Sequence, residues 1–135
     1  MNVLLIVVSF VFAGFTAFAF IKAGLHKLQT PAAKLLESGW GWVEKFPKGT
    51  TKFIGVAELL GGLGVILAPV AVTVFKFDWA LPLGIAAGIG LTVVMVLANI
   101  VHIVRKEFKY TYKAGVMLTV VPLATTILLA NYPTV

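Results

Sequence analysis

The segment FIGVAELLGGLGVILAP at residues 53–69 is apolar or glycine at every position except Glu58. A helix that crosses a bilayer needs about 20 mostly apolar residues, because the hydrocarbon core is about 30 Å thick. The segment lies in a longer apolar stretch, 53–75, and three other stretches have the same character: 3–21, 80–104 and 114–132. The sequence therefore predicts an all-α polytopic membrane protein, a single domain over residues 1–135 in which four transmembrane helices pack as a bundle.

The composition is that of a membrane protein. Of the 135 residues, 60% are hydrophobic and 12% are charged, and the mean hydropathy is +1.03. Soluble domains carry about 25% charged residues. Cysteine is absent, which excludes disulfides, thiolate metal sites and dithiol redox chemistry. The net charge of +6 comes from basic residues in loops rather than from a soluble basic face, so no nucleic-acid partner is expected.

The basic residues predict how the chain sits in the membrane, because lysine and arginine collect in cytoplasmic loops. The second loop and the tails contain only Lys76. The first and third connecting loops contain the other ten: Lys22, Lys27, Lys34, Lys45, Lys48, Lys52, Arg105, Lys106, Lys109 and Lys113. We therefore expect a multi-pass membrane protein with both termini on the non-cytoplasmic side. Residues 17–19 resemble a signal-peptide cleavage site, but no basic residue precedes the apolar run, so the first span is expected to remain as a helix.

A short helix is predicted between the first and second spans. In TPAAKLLESG, residues 30–39, Thr30 is expected to cap the helix, Pro31 to occupy its first turn and Gly39 to end it. Trp40 and Trp42 follow, and tryptophan is enriched at the headgroup boundary. We expect this helix to lie at the cytoplasmic interface.

Each predicted span has one face of small and polar residues at helical spacing. Lipid tails are as apolar as leucine, so membrane helices meet through small residues and interhelical hydrogen bonds. We predict that six glycines on these faces serve helix packing: Gly55, Gly61, Gly62, Gly84, Gly88 and Gly115.

Glu58 needs partners, because a lone carboxylate at membrane depth is costly. It follows Phe53 by five residues, roughly 7–8 Å along a helix that rises 1.5 Å per residue. The ends of the first and third spans reach a similar depth. We predict that Glu58 lies in a polar cluster with four side chains from those spans: Lys22, His26, Asn99 and His102.

The cluster fits several roles. An ion-pair and hydrogen-bond network would fix the register of the helices. A small polar pocket could instead bind a lipophilic head group or pass a proton. Beyond the pocket, however, the inward helix faces offer no polar path to the far side of the membrane. His26, His102 and Glu58 could hold a metal by residue type, but they lack close-spaced ligand pairs, and nothing sets the two histidines face to face for haem. No metal and no catalytic triad are predicted.

Three motifs occur together in chain order: AGLHKL at 23–28, FIGVAELLGGLGVILAP at 53–69 and VVMVLANIVHIVRKE at 93–107. In this set the chain resembles the DoxX-like family of small bacterial membrane proteins, over three of the four spans. The resemblance implies a four-helix integral protein of the bacterial inner membrane. The family is named after a subunit associated with thiosulfate:quinone oxidoreduction, and the wider group is linked to membrane-protein assembly. The resemblance supplies no catalytic residues to carry over.

Two functions are compatible with these observations. The first is a non-catalytic accessory or assembly module, with no activity of its own, that associates with another membrane protein or with itself. The second is a binder of a quinone-like or other lipophilic molecule at the polar cluster, serving a redox partner. The bilayer is the partner that both require.

Overall fold

The computed structural model describes residues 3–47 and 49–133, and five α-helices form its framework. They are α1 (Val3–Gln29), α2 (Ala32–Glu37), α3 (Thr50–Phe75), α4 (Ala80–Val104) and α5 (Phe108–Ala130). All but α2 are long and apolar enough to cross a membrane. The predicted all-α bundle of four transmembrane helices is confirmed, and so is the short helix between the first two.

The four long helices form a closed ring. α1 packs against α3, α3 against α4, α4 against α5, and α5 back against α1. Large side chains from all four helices fill the centre: Phe20, Val65, Leu91 and Leu129 are almost completely buried. We call the end at which α1 and α4 finish and α3 and α5 begin the basic end, because nine of the ten basic residues that the structure describes lie there.

Three of the four long helices, α1, α3 and α5, extend beyond the apolar stretches at the basic end. α1 continues past residue 21 to Gln29, and α5 begins at Phe108 rather than at residue 114. Helical hydrogen bonds satisfy the backbone whether or not the side chains are apolar, so a spanning helix can continue into the headgroup region. As a result, Lys22, His26 and Lys27 lie on α1 rather than in a loop. Lys48 lies outside the described residues.

The connection between α1 and α3 packs onto the basic end. Pro31 with φ −60°, and not Thr30, precedes the first helical residue of α2, and no side chain caps the helix. Gly39 follows with φ +97°, a left-handed conformation that glycine adopts without strain. A 3-10 helix then runs over Gly41–Lys45. Leu35 and Val43 are buried, so this connection is anchored.

Candidate functional site

Glu58 of α3 is buried against α1, with 5% of its side chain exposed. Its Oε1 atom lies 2.7 Å from Nζ of Lys27, whose side chain is 11% exposed. At this distance the ammonium and carboxylate groups are in direct contact and form an ion pair. The buried carboxylate thus has the cationic partner that membrane depth requires.

Two glycines bring these charges together. A methyl group at Gly24 would lie 2.6 Å from the carbonyl oxygen of Gly55, and one at Gly55 would lie 3.0 Å from the carbonyl oxygen of Gly24. Both distances are too short for an ordinary Cβ contact, so α1 and α3 cross here with their backbones close together. Lys27 and Glu58 each follow their glycine by three residues and share its helix face. The close crossing therefore positions the ion pair.

Aromatic side chains cover the pair on its loop side. The ring of Trp40 lies 5.3 Å from Nζ of Lys27, a cation–π distance. His26 meets Trp40 edge-on with ring centroids 5.4 Å apart, and Trp42 stacks on Trp40 at 6.0 Å. Lys27 is therefore held between a carboxylate and an indole.

Lys52 ties the start of α3 to the end of α1. Its ammonium group donates to the carbonyl oxygens of Lys27, Leu28 and Thr30 at 3.0, 2.8 and 3.0 Å. These carbonyls lie at or just beyond the last turn of α1, where a helix leaves its acceptors unpaired and favours a cation. The contact fixes the helix end that carries Lys27.

Lys22 and His26, two predicted neighbours of Glu58, are exposed on α1. Nζ of Lys22 lies 5.9 Å above the ring of Phe18. Nδ1 of His26 lies 3.5 Å from Oγ1 of Thr30. The ion pair of Glu58 is formed with Lys27, which the predicted cluster leaves out.

Asn99 and Thr119 connect α4 to α5. Nδ2 of Asn99 donates to Oγ1 of Thr119 at 2.8 Å and to the carbonyl oxygen of Gly115 at 3.4 Å. The Oδ1 atom of Asn99 is buried and accepts no hydrogen bond. A methyl group at Gly115 would collide with this amide, so the glycine makes room for it. Asn99 thus serves a different helix pair from Glu58.

His102 belongs to the turn between α4 and α5. Its Nδ1 atom lies 2.7 Å from Oε1 of Glu107, and Nε of Arg105 donates to the same oxygen at 3.2 Å. The hydrogen bond from His102, together with the charge of Arg105, holds the pKa of Glu107 below its usual value against the opposing effect of burial. Because an ionised carboxylate can only accept, Nδ1 of His102 carries the hydrogen.

The contacts of the five predicted cluster residues therefore fall into separate groups. Glu58 pairs with Lys27, and His26 meets the Trp40 ring that covers this pair. Asn99 pairs with Thr119, His102 with Glu107, and Lys22 lies over Phe18. Within residues 3–47 and 49–133, no three histidine or acidic side chains lie close enough to hold a metal ion together.

The remaining predicted packing glycines also lie at helix crossings. A methyl group at Gly61 would lie 2.5 Å from Leu91, and one at Gly62 would lie 2.9 Å from Ile21. At Gly84 and Gly88 the added carbon would meet Ala68 and Thr126, respectively. These positions face side chains of neighbouring helices.

The model of the DoxX-like family matches residues 11–129 of the chain. The chain belongs to the DoxX-like family. The matched region takes in most of α1, the whole basic end and nearly all of α5. Neither the curated proteins nor the solved structures yield a match.

In this DoxX-like chain, sequence reasoning missed Lys27 and Gly24. Both continue the inward face of α1, because Thr16, Phe20, Gly24 and Lys27 follow one another at steps of four, four and three. Extending the small-residue stripe into the polar end of the helix would have selected Lys27 over Lys22. The sequence contains no comparable signal for the cation–π contact between Trp40 and Lys27, since that contact depends on how the loop folds back onto α1.

Proposed function

We propose that this DoxX-like protein is a non-catalytic accessory or assembly module of a complex in the bacterial inner membrane. The observation that carries the proposal is that polar side chains within the bundle connect one helix to another. Lys27–Glu58 joins α1 to α3, Asn99–Thr119 joins α4 to α5, and a 2.9 Å contact between Thr16 and Thr125 joins α1 to α5. Groups used in this way stabilise a scaffold.

The outer surface supports the same proposal. All four long helices expose large apolar side chains, among them Phe15, Leu67, Leu97 and Leu123. The connections outside the spans are short, the longest being the segment between α1 and α3. A protein of this shape can meet another membrane protein chiefly side to side within the bilayer, through close packing of its helices.

Photo-cross-linking in native membranes tests the proposal. A photoreactive phenylalanine analogue would be placed singly at one exposed position on each long helix: Phe15, Leu67, Leu97 and Leu123. We expect one position, or two on neighbouring helices, to give an adduct of discrete mass with a partner protein or with a second copy. Leu129, which is fully buried, is the matched control and should give none.

The proposal is contradicted if all four exposed positions yield only lipid adducts in cells that express the protein at its natural level. A partner would then have to contact the loops alone, which the proposal does not predict.

One observation favours a second candidate function, binding of a quinone-like lipophile at the ion pair. Oε1 of Glu58 is buried in its ion pair with Lys27, and a carboxylate oxygen has a second acceptor site, so the hydroxyl group of a reduced, hydroquinone-like lipophile could donate to it. Mass spectrometry of molecules that co-purify with the wild type and with Glu58→Gln tests this. Loss of a lipophile from Glu58→Gln, but not from Glu37→Gln on exposed α2, would support binding. Identical co-purifying molecules in all three would exclude it.

A further inference from the structure

A groove of about 500 Å³ lies at the basic end, apart from the Lys27–Glu58 pair. Its lining comes from the C-terminal end of α4 and from the residue after the 3-10 helix: Ile100, Val101, Val104, Arg105 and Phe46. This volume is within the range of about 300–1,000 Å³ that small-molecule sites occupy. Four of the lining residues are apolar and one is a permanent cation, which is the character of a site for an amphiphile with a negative head.

Aromatic residues place the mouth of the groove at the headgroup level. Phe46 ends a run in which Trp42 stacks on Trp40, with the Trp42 and Phe46 rings 6.1 Å apart. Clustered tryptophans mark the membrane–water boundary. From Arg105 the lining descends α4 to Ile100, roughly 7–8 Å at 1.5 Å per residue. The groove therefore begins among head groups and continues beside acyl chains.

Arg105 is held in position before any ligand arrives. Its Nε atom donates to Glu107 at 3.2 Å, and a methyl group at Gly41 would lie 2.5 Å from its Nη2 atom, so the guanidinium packs directly on the glycine. One of its five N–H groups is used by Glu107, and a quarter of the side chain is exposed. A fixed guanidinium suits the geometry of phosphate oxygens.

The surrounding charge selects an anionic ligand. Arg105 is followed by the exposed residues Lys106 and Lys109. The acidic residues of this turn and of the 3-10 helix are Glu107, which pairs with Arg105, and the exposed Glu44, so these three basic residues outnumber the two acidic ones. Basic residues at a membrane surface attract anionic lipids over zwitterionic ones. We propose that this groove binds one anionic phospholipid, with its phosphate at Arg105 and an acyl chain along Val104, Val101 and Ile100. The proposal is independent of whether the protein assembles a complex.

The test measures lipid binding by native mass spectrometry of the purified full chain in detergent. The probes are phosphatidylglycerol and phosphatidylcholine with identical acyl chains, titrated separately. We expect one phosphatidylglycerol molecule to be retained about five-fold more tightly than phosphatidylcholine, the effect of roughly one well-placed cation. Arg105→Gln should abolish this preference. Lys109→Gln removes an exposed charge from the first turn of α5, where its Nζ lies over the Tyr110 ring rather than in the groove, and should preserve most of the preference.

A second variant keeps the test decisive if Arg105→Gln fails to fold. Val104→Trp fills the apolar part of the groove at a position that is 74% exposed, so the bundle should tolerate it. This variant should lose the tightly held lipid of either head group. Inorganic phosphate should not displace the bound lipid, because the acyl chain contributes to binding.

Three results would overturn the proposal. If the preference for phosphatidylglycerol over phosphatidylcholine persists in Arg105→Gln, or if Lys109→Gln reduces it as much as Arg105→Gln does, diffuse charge attracts the lipid. Equal retention of the two phospholipids means ordinary annular contact. Displacement by inorganic phosphate would assign the site to a free anion.

Discussion

Glu58 and Lys27 leave water together, with 5% and 11% of their side chains exposed and 2.7 Å between Oε1 and Nζ. Neither charge retains enough solvent to be stable alone. Removing one partner of a buried ion pair is strongly destabilising because it leaves an uncompensated charge, whereas removing both can be nearly neutral. The bundle therefore tolerates each of these two residues only while the other is present.

This conditional relation predicts the behaviour of a double-mutant cycle. Lys27→Met leaves the Glu58 carboxylate without its cation and should lower the free energy of unfolding by about 3 kcal/mol. Adding Glu58→Gln removes the stranded charge, and we expect it to restore at least half of that loss. Chemical denaturation in detergent micelles, followed by circular dichroism, measures both quantities.

Lys22→Met is the matched control for this cycle. Lys22 is exposed on the same helix, and its Nζ atom lies 5.9 Å from the Phe18 ring rather than beside a carboxylate. Its replacement should change stability by less than about 0.5 kcal/mol. Equal losses for Lys22→Met and Lys27→Met, or additive losses in the double variant, would contradict the pairing.

The need for a partner could be predicted from the sequence, but the partner itself was not. Glu58 is the single carboxylate in an apolar span, so the cost of burying it follows from composition. Lys22, His26 and Lys27 lie within about two turns of one another, and depth cannot separate them. The rotation of α1, fixed by the crossing at Gly24, decides which of them faces α3.

At the scale of helices, the crossing of α1 and α3 depends on the absence of side chains. Gly24→Ala would place a methyl group 2.6 Å from the carbonyl oxygen of Gly55 and 2.9 Å from the amide nitrogen of Leu59. Backbone atoms cannot rotate away, so the helices must separate. We expect a loss of about 1–3 kcal/mol in unfolding free energy, the usual cost of overpacking.

Gly14→Ala provides the comparison, because Gly14 lies on the same helix with nothing within 4 Å of an added methyl group. Its stability should equal or slightly exceed that of the wild type, since alanine favours helix more than glycine does. Thermal denaturation of the two variants side by side distinguishes packing from propensity. Equal melting temperatures for both would mean that the helices do not cross at Gly24.

The spans themselves follow from hydropathy, whereas the helix ends do not. A hydropathy window detects the portion of a helix that matches the hydrocarbon core. It does not detect the turns that continue through the head groups, such as residues 22–29 of α1. These polar turns carry Lys27, so the end of the bundle that contains the ion pair is the part that apolar periodicity describes least well.

At the scale of the whole molecule, the contacts between helices separate an interior from a surface. Hydrogen bonds between hydroxyl groups, such as the 2.6 Å contact between Oγ1 of Thr73 and the hydroxyl oxygen of Tyr132, add to the charged and amide contacts that hold the four helices together. The outward faces are left apolar, as a bilayer requires. Polar groups within the bundle therefore govern which helices pair, and the surface remains available for lipids and partner proteins.

Positive charge at one end predicts the orientation of the entire bundle, because cytoplasmic loops collect lysine and arginine. The chain has no cysteine, so single substitutions report one position each. Ser38 is exposed between α2 and the 3-10 helix at the basic end, and Asp78 is exposed in the turn between α3 and α4 at the opposite end. In intact cells, an impermeant maleimide should label Asp78→Cys at once and Ser38→Cys only after the inner membrane is permeabilised. The reverse pattern would place the basic end, and with it the ion pair and the proposed lipid groove, on the outer side of the membrane. Labelling of both positions in intact cells would contradict a single orientation.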